Sequence, residues 1–308
     1  MRASISRLAL RRSALVGLLA LTTLGTGCVK KIALNSLADA LSSSTSGTFS
    51  QDEDLALVGD AIPFALKTME ALHGEAPDHR GLELALVSGF TQYGMVWVQW
   101  PAEQLKYSDF RSYQAGLERS RKLFLRARGY GLEGMDAAYP GFSEGIFTDP
   151  EATLQPTTTD DIPMMYWLGA SWLAAISNSR EHPELIGQLP IAAALLHRCL
   201  ELDESWDRGA IHELLISLEP SLAVAGGADR SREHFARAME LNGGVKAGPY
   251  VSLATAIIID TQDREAFVSL LEQALAVDLE ASPNDRLANE YAQQQARYLL
   301  HHIDDLFI

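Results

Sequence analysis

From Leu55 to the C-terminus, apolar residues recur at intervals of three and four, and strand-like alternation bounded by turn dipeptides is nearly absent. Apolar residues at that spacing share one face of a helix, and that face must be buried against other helices. Leu66, Met69 and Leu72 mark one stripe, and Leu82, Leu86, Phe90, Tyr93 and Trp97 mark a second. Pro63 suits a first helical turn, where its missing N–H costs little, and Pro77-Asp78 breaks the chain between the stripes. The spacing therefore predicts an antiparallel helix pair and an all-α protein.

The same unit returns near the C-terminus. Cys199, Ala238 and Ala274 each lie three positions after a large apolar residue (Leu196, Phe235, Leu271). Each is followed directly by Leu200, Met239 or Leu275, and the segments end at Asp203, Asn242 and Asp278. Earlier copies are read at Ala65, Met69, Leu72 and Pro77, and at Ser120, Phe124 and Ala127. The spacing is close to the ~34 residues of a tetratricopeptide repeat. The physical basis is packing: a small side chain at a crossing lets the neighbouring helix approach, while the large one fills the groove beside it. The expected architecture is tetratricopeptide-like, with antiparallel helix pairs stacked into a superhelical array over residues 54–308. The Gly-, Pro- and Thr-rich stretch 129–161 interrupts the period and is predicted as a long insertion loop, a length usually associated with function or with packing on neighbours.

The first 27 residues read as an export signal. Arg2, Arg7, Arg11 and Arg12 precede an apolar run from Ala14 to Leu24, and Gly25-Thr26-Gly27-Cys28 follows. That run is well short of the ~20 residues a membrane span needs, and no later run is predicted to span. The terminal cysteine points to a bacterial lipoprotein in which Cys28 is acylated and becomes the first mature residue. Residues 28–53 then form a lipidated N-terminus and flexible tether, with the small polar run SSSTSGTFS at its end. The body is acidic, with 25 Lys and Arg against 40 Asp and Glu. Loss of the signal arginines makes it more so, which disfavours nucleic-acid binding. With Cys28 and Cys199 alone, neither a disulfide framework nor a cysteine-rich zinc site is available.

Enzyme constellations are sparse. His212-Glu213 opens like a zinc-protease motif, but Ile216 occupies the place of the second histidine. His301 and His302 are adjacent and diverge by about 100° on a helix, which does not suit chelation. His197 and His234 fall in corresponding stretches of two repeats and read as satisfied or surface histidines. There is no P-loop, no dinucleotide fingerprint, and no nucleophile elbow around Ser88-Gly89. Asp160-Asp161, directly before Ile162-Pro163, reads as a helix N-cap with favourable first-turn charge. No catalytic residue, metal ligand or cofactor is predicted.

Three segments carry a family resemblance: Asp54 to Gly94, RARGYGLEGMD (Arg126 to Asp136), and DDIPMMYWLGASWLAAIS (Asp160 to Ser177). The YWLGASW run after DDIP is the most specific of them, and a weaker likeness continues through ARAMELNGG (Ala236 to Gly244) to the C-terminus. In this order the chain resembles the T-component of TRAP transporters, a group of repeat-containing periplasmic lipoproteins. The resemblance implies a non-catalytic all-α body that assembles as a homotrimer. It also implies binding to an extracytoplasmic solute-binding protein and help in capturing small organic or hydrophobic ligands for import. The contrasting expectation is an envelope assembly scaffold that uses its repeats for protein–protein contacts and carries no ligand.

Aromatic residues carry the remaining functional signal. Phe90, Tyr93, Trp97 and Trp100 run at i, i+3, i+7 and i+10, and Tyr166, Trp167 and Trp172 crowd the opening of another helix. Such a stripe is ordinarily core. Its functional reading is an apolar groove or pore lining, or a set of anchors for a protein partner.

Overall fold

The computed structural model describes residues 36–38, 47–77, 79–179, 181–222 and 224–308. Cys28, the signal segment and most of the expected tether lie outside the described residues. Helix and turn account for the secondary structure of the described residues, and no strand is found among them. The protein is all-α.

Helix α1 (Leu55–Glu75) starts where the Asp54 carboxylate accepts the Ala56 and Leu57 N–H groups, both at 3.0 Å. It buries Val58, Ile62, Leu66 and Met69. Pro63 therefore lies inside the helix and not in its first turn, because this cap sits further upstream than the proline signal suggests. The carbonyl that a proline leaves unbonded belongs to residue i−4, here Gly59, against which the Trp97 indole packs closely. Helix α2 (Arg80–Tyr93) follows the break at Pro77, with the His79 ring accepting the Leu82 N–H at 3.2 Å. A π-helical turn, Gly94–Gln99, then leads into the short α3 (Trp100–Glu103).

Gly94 permits close packing at that turn. A Cβ there would lie 2.6 Å from the ring of the fully buried Phe124. Gly94→Ala is therefore expected to destabilise the fold by about 1–3 kcal/mol, the usual cost of overpacking. Chemical denaturation of the purified variant checks the figure.

Helix α4 (Phe110–Ala138) is 29 residues long and continues straight through the first third of the stretch expected as a loop. Its glycines do not break it; they admit the next core helix, α7 (Ile162–Ser177). A Cβ on Gly131 would meet Leu168 at 3.0 Å, and one on Gly134 would meet Met164 at 2.6 Å. The rest of 129–161 is ordered as α5 (Phe142–Thr148), α6 (Pro150–Leu154) and a 3-10 turn at Thr159–Asp161. The segment is thus part of the packed body.

After α7 come α8 (Pro183–Ile186), α9 (Leu189–Leu202) and α10 (Ala210–Leu218), then α11 (Gly227–Asn242), α12 (Gly248–Leu253) and α13 (Ile259–Thr261). Helices α14 (Arg264–Ala276) and α15 (Arg286–His301) complete the chain. The span 183–202 is long and apolar enough to cross a membrane by length and composition. It is interrupted at Gly187-Gln188, and the α9 part turns Ile191, Leu195, Leu196 and Cys199 into the core. Those positions fit a core helix of the body.

Of the small positions in the repeat reading, Ala65 is only partly buried, and the others are enclosed. Ser120, Ala127, Cys199, Ala238 and Ala274 are all fully buried. The main packing partners are α4 with α7, α2 with α4, and α7 with α9, with the short helices between them set aside. One apolar core runs from α1 to α10, and a second joins Ile216 of α10 to α12, α14 and α15. The array also closes on itself, because α15 reaches α1. The Leu287 N–H donates to Ser50 O at 3.0 Å, and Gln51 Nε2 donates to Asn284 Oδ1 at 2.8 Å. The Trp100 ring meets Tyr298 and Tyr291 edge-on, with centroids at 5.1 and 6.3 Å.

Candidate functional site

Where residues 47–50 and 281–287 meet α1 and α2 lies a solvent-open cavity of about 1350 Å³. One wall is α1, through Ile62, Leu66 and Met69. A second is α2, through Leu84, Ser88 and Gly89, with Trp97 from the π-helical turn beside it. Trp167 and Trp206 supply aromatic surface from the later helices, and residues 47–50 and 281–287 close the remaining side. The end of the expected tether is therefore packed on the body here.

The rim is polar. Arg208 pairs with Asp285 and donates to Ser282 Oγ at 3.1 Å. The corner that carries it is unusual: Asp207 (φ 43°), Arg208 (φ 54°) and Gly209 (φ 85°) are consecutive left-handed residues. For the two non-glycines this conformation costs on the order of 1–3 kcal/mol each. Lys246 Nζ helps to hold it by donating to Asp207 O at 2.7 Å.

Of the predicted aromatics, Trp97 and Trp167 line the cavity. Trp97 is oriented by its indole N–H, which donates to Leu55 O at 2.7 Å, and Tyr93 stacks on it at 6.2 Å. Tyr166 stands behind the wall against Trp167 and Trp206, where burial pushes its hydroxyl pKa upward. Phe90, Trp100 and Trp172 are core side chains. The four residues read as a single stripe diverge because the π-helical turn at Gly94–Gln99 places more residues in each turn and shifts the phase between Tyr93 and Trp100. Sequence reasoning missed Trp206, Ser88, Arg208 and residues 47–50, none of which falls in a periodic pattern.

Asp161 stands at the N-cap position of α7 but its side chain makes no cap hydrogen bond there, contrary to the sequence reading. Its side chain turns back to accept the Thr158 N–H at 2.9 Å and the Tyr139 hydroxyl at 2.6 Å, and it pairs with Arg80. The histidines are likewise engaged. His212 Nδ1 lies 2.8 Å from His234 Nδ1, and His197 Nε2 lies 3.0 Å from Glu219 Oε1, which Arg230 also pairs. Glu204 contacts His212 at 3.3 Å and pairs with Arg237. No metal-competent group of three His, Cys, Asp or Glu side chains occurs among the described residues.

Burial, then the positive field of His212, His197 and Arg230, pushes the His234 imidazole down to about 4, against an upward pull from Glu219. The folded state therefore binds fewer protons than the unfolded state between about pH 4 and the ordinary 6.5, so stability falls as pH drops through that window. The loss is expected to be on the order of 2–3 kcal/mol. His234→Gln should flatten the slope in denaturation measured from pH 7 to pH 4.

A family profile described as the TRAP transporter T-component matches residues 51–307, which takes in every helix from α1 to α15 and most of the cavity lining. The chain belongs to that family. Among its relatives is an uncharacterized protein of Treponema pallidum (strain Nichols), 30% identical over 302 residues, covering 92% of this chain and 94% of the relative. As a T-component it is part of a bacterial transport system of the cell envelope. The three cavity tryptophans, Trp97, Trp167 and Trp206, fall within the stretch that the T-component profile matches.

Proposed function

We propose that this T-component is a non-catalytic scaffold, anchored in a membrane by lipid on Cys28 and facing the periplasm. It docks a TRAP-type solute-binding protein and receives the apolar part of a small organic ligand in its central cavity. The observation that carries this reading is the cavity itself. Its volume of about 1350 Å³ exceeds the ~300–1,000 Å³ usual for small-ligand pockets. Its walls combine aliphatic side chains with Trp97, Trp167 and Trp206. A scaffold for protein contacts alone has no use for such a chamber. In this reading the protein works as a homotrimer, each copy contributing its own cavity.

The test has two arms. Full-length protein, solubilised from membranes and used as bait in an envelope extract at low salt, should capture a solute-binding protein identifiable by mass spectrometry. Native mass spectrometry of the same preparation should show small molecules retained at no more than one per chain. Capture without any retained or added ligand would favour the envelope-scaffold reading, and failure of both arms would remove the transport role. Cys28→Ser should release the protein from membranes without changing its helicity.

A further inference from the structure

Arg128, on α4 where it packs against α7, has surroundings that do not balance its charge. Its guanidinium lies 4.9 Å over the Trp172 ring, and Nη1 donates to the neutral Gln188 Oε1 at 3.1 Å. That same oxygen already accepts the Trp172 indole N–H at 3.0 Å. The buried Nε has no acceptor. Burial holds the guanidinium pKa below its ordinary value, and no carboxylate offsets it. Elsewhere the pattern is different: Arg80, Arg121, Arg208, Arg230 and Arg237 each pair with an aspartate or glutamate. Acidic residues outnumber basic ones 40 to 25 in this chain, so partners for a cation are plentiful. Among the described residues this half-buried cation nevertheless has none.

The neighbourhood is also apolar and open on one side. Phe147 of α5 packs on Trp172 with centroids 5.3 Å apart, yet 48% of it remains exposed. Arg128 stays partly exposed, and a partly desolvated cation without a counter-charge is stabilised when an anion reaches it from outside. Arginine beside large aromatic rings is the composition of interface residues that dominate binding energy.

We infer that Arg128, framed by Trp172 and Phe147, is a docking point for a carboxylate side chain on a protein partner. The inference rests on the reading that this T-component binds a solute-binding protein, and it names where that contact is anchored. A protein partner fits better than a free carboxylate, because the exposed Phe147 ring offers contact area to the apolar neighbours of an Asp or Glu and little to a small ion.

The experiment titrates the full chain with the purified solute-binding protein captured above and follows tryptophan emission. Trp172, lying under the guanidinium, reports arrival of a carboxylate. Arg128→Gln should weaken binding on the order of 30-fold or more and flatten its dependence on salt. Arg128→Lys should recover part of the loss. Phe147→Ala should weaken binding about fivefold while leaving helicity unchanged, since its ring is half exposed. Sodium acetate is the small-ion control. Binding by Arg128→Gln within threefold of the parent, with capture intact, would overturn this inference alone; so would acetate quenching tryptophan emission while receptor binding ignores the substitution. A parent protein that captures no receptor would overturn the functional reading, and this inference with it.

Discussion

Replacing Ala65 and Ser88 together with tryptophan will abolish ligand retention while leaving receptor capture intact. Both residues face the chamber, Ala65 from α1 and Ser88 from α2, and neither is fully buried. The indoles therefore extend into empty volume and not into packed core, and the fold loses little. Ser88 gives up only a hydroxyl that donates to Leu84 O at 2.8 Å within its own helix. Retention of small molecules, read by native mass spectrometry, should fall by at least about tenfold, the result of a binding change of roughly 1.4 kcal/mol or more. Capture of the solute-binding protein should stay within twofold. Equal retention by variant and parent would mean that the ligand sits elsewhere.

Asp161→Ala should produce the largest loss of stability of any single polar substitution here. The carboxylate is 2% exposed and joins three parts of the chain: Arg80 at the start of α2, Tyr139 after α4, and Thr158 before the 3-10 turn. Burial pushes its pKa up, but the Tyr139 hydroxyl, the Thr158 N–H and Arg80 outweigh that and hold it below the ordinary 3.8. The sign follows from linkage. A depressed carboxylate contributes stability that is fully present above its unfolded pKa and is lost as pH falls through the folded value. The contribution is therefore intact at neutral pH and disappears only in strong acid. Removing the side chain strands a buried network and should cost about 3 kcal/mol, seen as a drop of roughly 6–12 °C in Tm. Asp161→Asn keeps the shape and two acceptors' worth of geometry on one oxygen only, so it should fall between the parent and the alanine variant.

The helical architecture was legible in the sequence because one physical constraint repeats. A small residue must sit where helices cross, and Cys199, Ala238 and Ala274 stand at equivalent places with no exposed surface. The glycines of α4 carried the opposite message in sequence and in structure. Gly131 and Gly134 in isolation read as loop formers, whereas in the fold their missing Cβ atoms are what lets α7 approach. The aromatic stripe failed for a related reason. A spacing of 3.6 residues per turn was carried across Gly94, but the π-helical turn there changes the phase, so Trp97 faces the chamber while Trp100 meets α15. The chamber itself left no trace in any single stretch, since its walls come from residues 47–50, from α1 and α2, and from residues 281–287.

The meeting of α15 with the segment before α1 has a kinetic consequence. The bond between Gln51 and Asn284 spans 233 positions, so its loop-closure entropy is among the largest the chain must meet. Such remote contacts form late, after locally paired helices have assembled. A product truncated before residue 281 should thus keep much of its helicity and yet hold no cargo, so that a finished C-terminus acts as a quality check on binding competence.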